Sequence, residues 1–150
     1  MSRVVVLGLG NTLMRDEGVG VRAAERLRLV APPGVDVVEA GTLGTATLPE
    51  VEGATHLLIL DAVDAGRPPG TIIQVEPSAL GPRGASLSAH DFGVADLLVM
   101  LEHVGRPPRR TLVLGVQPAV VGPGTELSPE VERALPGLVR TALSVLGTWR

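Results

Sequence analysis

Short unbroken apolar runs alternate along this chain with stretches in which apolar residues recur every three or four positions, so buried strands are expected to alternate with amphipathic helices. Val4 to Leu7 (VVVL) is the first such run, β-branched and suited to a parallel strand covered on both faces. Gly8 and Gly10 end it by letting the backbone turn sharply above the sheet edge. From about Val19 the period changes. Val19, Ala23, Leu27 and Val30 share one helical face, with Arg22, Arg26 and Arg28 largely turned away, until Pro32-Pro33-Gly34 ends the helix.

The alternation continues to the end of the chain. Val35 to Glu39 (VDVVE) reads as a second strand, a Pro49-interrupted segment as a short helix, and His56 to Leu60 (HLLIL) as a third, buried strand that finishes on Asp61. Asp61 to Gly70 (DAVDAGRPPG) reads as a loop and Thr71 to Val75 (TIIQV) as a fourth strand. A loop around Gly81 to Gly84 leads into Ser88-Ala89-His90-Asp91, whose spacing is that of a capping box, and then into a helix with Val94, Ala95, Leu98 and Leu101 on one face. That helix stops near Gly105, and Thr111 to Val116 (TLVLGV) is the fifth strand. Ser128 and Pro129 open the last helix as N-cap and first-turn proline. Val131, Ala134, Leu135, Leu138, Ala142, Val145 and Leu146 trace its buried stripe, and Pro136 is expected to kink it.

Strands alternating with helices predict an α/β fold, a three-layer sandwich in which a five-stranded, mostly parallel twisted sheet carries helices on both faces. Residues 1–150 are expected to form a single domain. The connection from the third to the fourth strand is too short for a helix, so those two strands are expected to pair antiparallel, with the fourth at an edge.

Composition narrows the chemistry. The 150 residues contain no Cys, which removes disulfides, thiolate metal sites and a cysteine nucleophile. The net charge is −3 and the cations are scattered Arg, with one Phe, one Trp and no Tyr, so neither the basic face nor the stacking aromatics of a nucleic-acid binder is present. No apolar stretch reaches the roughly 18 residues of a membrane span, and the start MSRVVVLGLG lacks a signal-peptide pattern, so a cytoplasmic location without membrane contact is expected.

In open α/β sheets the ligand crevice lies beyond the carboxyl ends of the strands. There the chain offers Glu17 after strand one, Glu39 at the end of strand two, Asp61 at the end of strand three, His90 before the next helix and Gln117 after strand five. Glu17, Asp61 and His90 would give an O,O,N site with open positions, suited to nickel, zinc or iron rather than magnesium. Each residue also has a plainer reading: Glu17 as a first-turn helix acid, Asp61 as a turn cap, His90 as a helix-start residue. Asp16 is expected to cap its helix and Asp64 to hold its turn, while His56 and His103 read as structural.

Six blocks carry a wider likeness: GLGNTLMRDEGVG (Gly8 to Gly20), EAGT (Glu39 to Thr42), DAVDAGRPPGT (Asp61 to Thr71), SAHDFGVADLL (Ser88 to Leu98), GVQP (Gly115 to Pro118) and LSPEV (Leu127 to Val131). Together and in this order they resemble the maturation endopeptidases of [NiFe] hydrogenases. The resemblance implies a protease that trims the carboxyl-terminal extension of the hydrogenase large-subunit precursor after nickel insertion. It also implies a metal-contacting trio at Glu17, Asp61 and His90, with the nickel carried by the substrate. Two positions depart from the family pattern: Glu39-Ala40 stands where an Asp and a second Gly are usual, and Ala119 where an acidic residue often follows GVQP.

No G-x-S-x-G elbow, no serine relay and no paired D-[TS]-G loops are present, so a self-contained nucleophile is not expected. The substrate's metal would polarise the scissile carbonyl or activate a water, with Asp61 or Glu17 as base. Three rivals remain at this point, one of them a distant α/β peptidase relative with another substrate. A nickel-binding chaperone would share the trio without cleaving anything. A dinucleotide-binding domain would use Gly8-Leu9-Gly10, although the fingerprint's third glycine is replaced by Leu13.

Overall fold

The computed structural model describes residues 2–42, 47–76, 86–87, 94–104 and 106–149. Its strands are β1 (Val4–Leu9), β2 (Val35–Gly41), β3 (His56–Asp64), β4 (Ile72–Val75), β5 (Ser86–Leu87) and β6 (Arg110–Val116). Its helices are α1 (Val19–Arg28), α2 (Leu48–Val51), α3 (Val94–His103) and α4 (Pro129–Thr148), with a 3-10 turn at Arg15–Gly18. Five strands run in the order β2-β1-β3-β6-β4, and the two-residue β5 pairs antiparallel with the far end of β3. β1 is parallel to β2 and β3, β3 is parallel to β6, and β4 is antiparallel to β6.

Alternation along the strands divides the core in two. Val4, Val6, Leu58, Leu60, Leu112 and Leu114 face α1 and α4, where they meet Ala23, Leu27, Leu135 and Leu138. Val5, Leu7, Leu57, Ile59, Val63 and Val113 face the other way, onto Val51 of α2 and Leu97 and Leu101 of α3. The apolar runs are continuous because both faces are covered.

The antiparallel edge strand is one place further out than expected: β4 pairs with β6, not with β3. β3 already has long apolar partners on both sides, β1 through Leu60 and β6 through Ala62. The connection therefore steps across the end of β6, where Gln117 fastens it. Its Oε1 accepts from the N–H of Ala65 (2.8 Å) and Arg67 (3.2 Å), its carbonyl accepts from Gly70 N–H, and its own N–H donates to Thr71. β3 also runs three residues beyond Asp61, which the sequence had placed at a loop's start.

Two glycines seat α1 on the sheet. A methyl group on Gly20 would lie 2.1 Å from the Leu60 carbonyl oxygen, and one on Gly8 would lie 2.7 Å from Ala24 Cβ. Val30, placed by periodicity on the buried face, lies beyond the end of α1 and is exposed. α4 opens as expected, with Ser128 Oγ accepting from Val131 N–H and Pro129 following, and the helix runs on past Pro136. The capping box at Ser88 to Asp91, the loop at Gly81 to Gly84, and the side chains of Val94, Ala95 and Leu98 lie outside the described residues. Among the described residues no helix is long and apolar enough to cross a membrane.

Candidate active site

The strand order reverses direction between β1 and β3. From β1 the chain leaves through α1 toward β2, and from β3 it leaves toward β4 and β6, so the crevice above these two strands is the topological switch point. Glu17 and Asp61 both lie there. Gly10, with φ +125°, turns the chain at the top of β1, and a methyl group on it would sit 1.8 Å from the Glu17 carbonyl oxygen and 3.6 Å from Asp61 Oδ1. One missing side chain thus lets the backbone of Glu17 close over the strand end beside the Asp61 carboxylate.

Asp61 is fully buried and shares the face of Leu57, Ile59 and Val63, the face covered by α3. Its Oδ1 accepts from Ala62 N–H at 2.8 Å. Across the ladder it stands opposite Gly115, so no side chain crowds it from β6.

Glu17 is only 5% exposed. It belongs to the 3-10 turn ahead of α1, whose N-cap is Gly18 and whose first turn holds no acid, so it is not the first-turn acid of α1. Among the described residues its carboxylate takes part in no hydrogen bond or ion pair, and no fully enclosed side-chain oxygen is left unpartnered. The small accessible part of Glu17 therefore includes its carboxylate oxygens.

Its neighbour is the opposite case. Asp16 was expected to cap a helix and does not. It is fully buried, and its carboxylate accepts from Ala119 N–H (2.9 Å), Val120 N–H (2.8 Å), Ser128 N–H (2.7 Å) and the Ser128 hydroxyl (2.7 Å). Burial alone would push its pKa up. The bonds from Val120, Ser128 and Ala119 outweigh burial and hold it below 3.8. These partners are 103 to 112 positions away in sequence, so no local signal reveals them.

The remaining candidates separate cleanly. Asp64 holds its turn as expected, accepting from Gly66 N–H and from Gln117 Nε2. The two departures from the family pattern are absorbed locally: Glu39 pairs with Arg28 at 2.7 Å, and Ala119 uses only its backbone N–H on Asp16. His56 lies at the opposite end of the sheet, bonded through Nδ1 to Thr55 Oγ1 and 5.3 Å from the Trp149 ring, and His103 bonds the Val99 carbonyl at the end of α3. His90 lies outside the described residues. Among those described, no three His, Asp or Glu side chains stand close enough to hold one metal ion.

The family model of the hydrogenase maturation proteases, HycI, matches residues 21–145. The chain belongs to the hydrogenase maturation protease family. It is 32% identical over 148 residues to the hydrogenase 2 maturation protease of Escherichia coli, covering 96% of this chain and 90% of that one. It is 37% identical over 150 residues to the hydrogenase expression/formation protein HupD of Thiocapsa roseopersicina, covering 95% and 67%. The solved structure of the hydrogenase maturating endopeptidase HybD from E. coli superposes with a TM-score of 0.86 at 31% identity, over 97% of this chain and 93% of that one. Membership in this family speaks against the dinucleotide-binding alternative, and the Glu17 carbonyl stands against Gly10, the second glycine of that fingerprint.

Proposed function

We propose that this protein is an endopeptidase that removes the carboxyl-terminal extension of a [NiFe]-hydrogenase large-subunit precursor once nickel is in place, with Glu17, Asp61 and His90 addressing the nickel carried by that substrate. The observation that carries the reading is Glu17, only 5% exposed yet without a side-chain partner among the described residues, on the turn whose backbone carbonyl stands against Gly10 near Asp61 Oδ1 at the switch point. Ser86 and Leu87 pair antiparallel with Asp64 and Val63, and His90 follows them in the sequence by three residues. Leu97 and Leu101 of α3 then pack on the Asp61 face.

An ion already bound by the substrate needs only its open positions filled, which an O,O,N set of side chains can do. Cleavage then follows from position. With the scissile carbonyl polarised by the substrate's metal, a water adds to the carbonyl carbon and gives its proton to Asp61 or Glu17. That carboxylic acid returns the proton to the departing amide nitrogen as the C–N bond breaks. Correct metal loading becomes the licence for proteolysis.

Nickel-loaded and nickel-free precursor, each incubated with the purified protein and weighed by mass spectrometry, provide the test. Loss of a carboxyl-terminal fragment from the loaded form alone is expected. Equal cleavage of both overturns the role of the metal, and an unchanged mass for both overturns the peptidase in favour of a chaperone.

A further inference from the structure

We infer that Asp16 is the positioning residue of this site: its carboxylate ties the turn that carries Glu17 to the β6–α4 loop, and so fixes where the Glu17 carboxylate stands. The inference rests on the assignment of Glu17 proposed above. The 13–17 segment lies as a strip against residues 120–126. Gly124 N–H donates to the Leu13 carbonyl, Arg15 N–H to Gly124, Asp16 N–H to Val120, and Arg15 Nε to the Glu126 carbonyl. Arg15 takes φ +52° to make this run possible, a conformation that a side-chain-bearing residue keeps only when its surroundings demand it.

Asp16 reaches inward from the strip. Its Oδ2 gathers Ala119 N–H, Val120 N–H and the Ser128 hydroxyl, and its Oδ1 takes Ser128 N–H, the residue that caps α4. Glu17 makes no such bond through its side chain among the described residues, and its backbone carbonyl is lodged against Gly10. Its position is therefore inherited, from Gly10 on one side and from Asp16 on the other. A group that must meet a metal in a second protein gains most from being held in advance, since a displacement of about 1 Å costs on the order of a hundredfold in rate.

Asp16→Asn tests this by replacing an acceptor oxygen with an NH2 group that faces donors. The single-turnover rate at saturating nickel-loaded precursor is expected to fall at least about tenfold, while the precursor concentration giving half the maximal rate stays within about threefold. Leu135→Ala, a cavity in the α4 core far from this carboxylate, serves as the stability control and keeps its rate within about twofold at a temperature where both variants are folded. If Asp16→Asn does not fold, Ser128→Ala, which removes one of the four bonds, is expected to show the same rate loss in milder form. Wild-type rate in the Asp16 or Ser128 variant, or equal rate loss in Leu135→Ala, overturns the inference. Glu17→Gln is assayed alongside: if it is inactive while Asp16→Asn is fully active, the positioning role fails and the site stands, whereas an active Glu17→Gln removes the site itself.

Discussion

The two ends of the sheet treat their polar side chains differently. At the amino end Thr55 Oγ1 accepts from Arg3 N–H at 2.8 Å, donates to the Arg3 carbonyl and meets His56 Nδ1, while Arg3 also pairs with Asp36 at 3.5 Å and the His56 ring leans on Trp149. Donors and acceptors there close on one another. At the carboxyl end Asp16 and Gln117 are just as fully engaged, but among the described residues the Glu17 side chain has no such partner, and its backbone carbonyl stands against Gly10 near Asp61. Among the described residues every fully enclosed side-chain polar atom has a partner, and the Glu17 carboxylate, which keeps an accessible part, is open to another molecule.

Substitution at the two ends should break along that line. Glu17→Gln and Asp61→Asn are expected to lower the cleavage of nickel-loaded precursor by on the order of a hundredfold or more with the circular dichroism spectrum unchanged, because each removes a charge that would meet the metal or take the proton. His56→Asn, at the satisfied end, is expected to stay within about twofold. A strong loss of cleavage in His56→Asn would mean that the contrast has been read backwards.

Glycines sharpen the comparison in stability rather than rate. Gly10 has φ +125° and a backbone oxygen 1.8 Å from where a methyl would go, while Gly34, in the turn before β2, has φ +87° and nothing within 4 Å. Gly10→Ala must force the Glu17 carbonyl away and is expected to cost at least about 3 kcal/mol, whereas Gly34→Ala carries only backbone strain of about 1 kcal/mol. Denaturant unfolding of the two variants measures both. Comparable losses would mean that the Glu17 turn yields easily and that its placement is not imposed by the strand end.

The sequence made the amino end and the strands easy to read, and the carboxyl end only in part. Val4 to Leu7, Leu57 to Leu60 and Leu112 to Val116 are buried on both faces, and for such strands an apolar run is a sufficient signal. The neighbour of β4 was not legible, because pairing depends on which flank of β3 is already taken, a fact about the whole sheet. That Glu17 falls beyond the carboxyl end of β1 and Asp61 near that of β3 was legible from the strand order such sheets adopt and from the sequence blocks alike. Asp16 was not, since an acid before a helix has the same local pattern whether it caps that helix or reaches Ser128, 112 positions on.

Acid gives a smaller effect that separates the two adjacent carboxylates. The folded state holds Asp16 below 3.8, so its ionised form is favoured on folding, and the stability it contributes is complete above that value and lost as the pH falls beneath it. The stability gap between wild type and Asp16→Asn is therefore expected to be constant near neutrality and to narrow as the pH drops below 3.8 in urea titrations. A gap that does not change with pH would mean that the four bonds to this carboxylate are as good to its neutral form.

The smallest effect concerns a carboxylate that the protein pairs at its surface, Glu39 at the end of β2. Arg28 meets Glu39 at 2.7 Å and donates a second bond to the Val37 carbonyl, with the two side chains 53% and 28% exposed. Solvent screens such a pair, so Arg28→Ala is expected to cost about 0.5 kcal/mol at low salt and less in high salt. Val35 and Val37, which alternate with Glu39 onto the same side of β2, pack on the core beneath α1, whereas Asp61 belongs to the face beneath α3. The cleavage rate of Arg28→Ala should accordingly stay within about twofold of wild type. A larger fall would bring Glu39, despite its facing the other side of the sheet, into the same working set as Glu17 and Asp61, and the crevice would then extend across β1 to the end of β2.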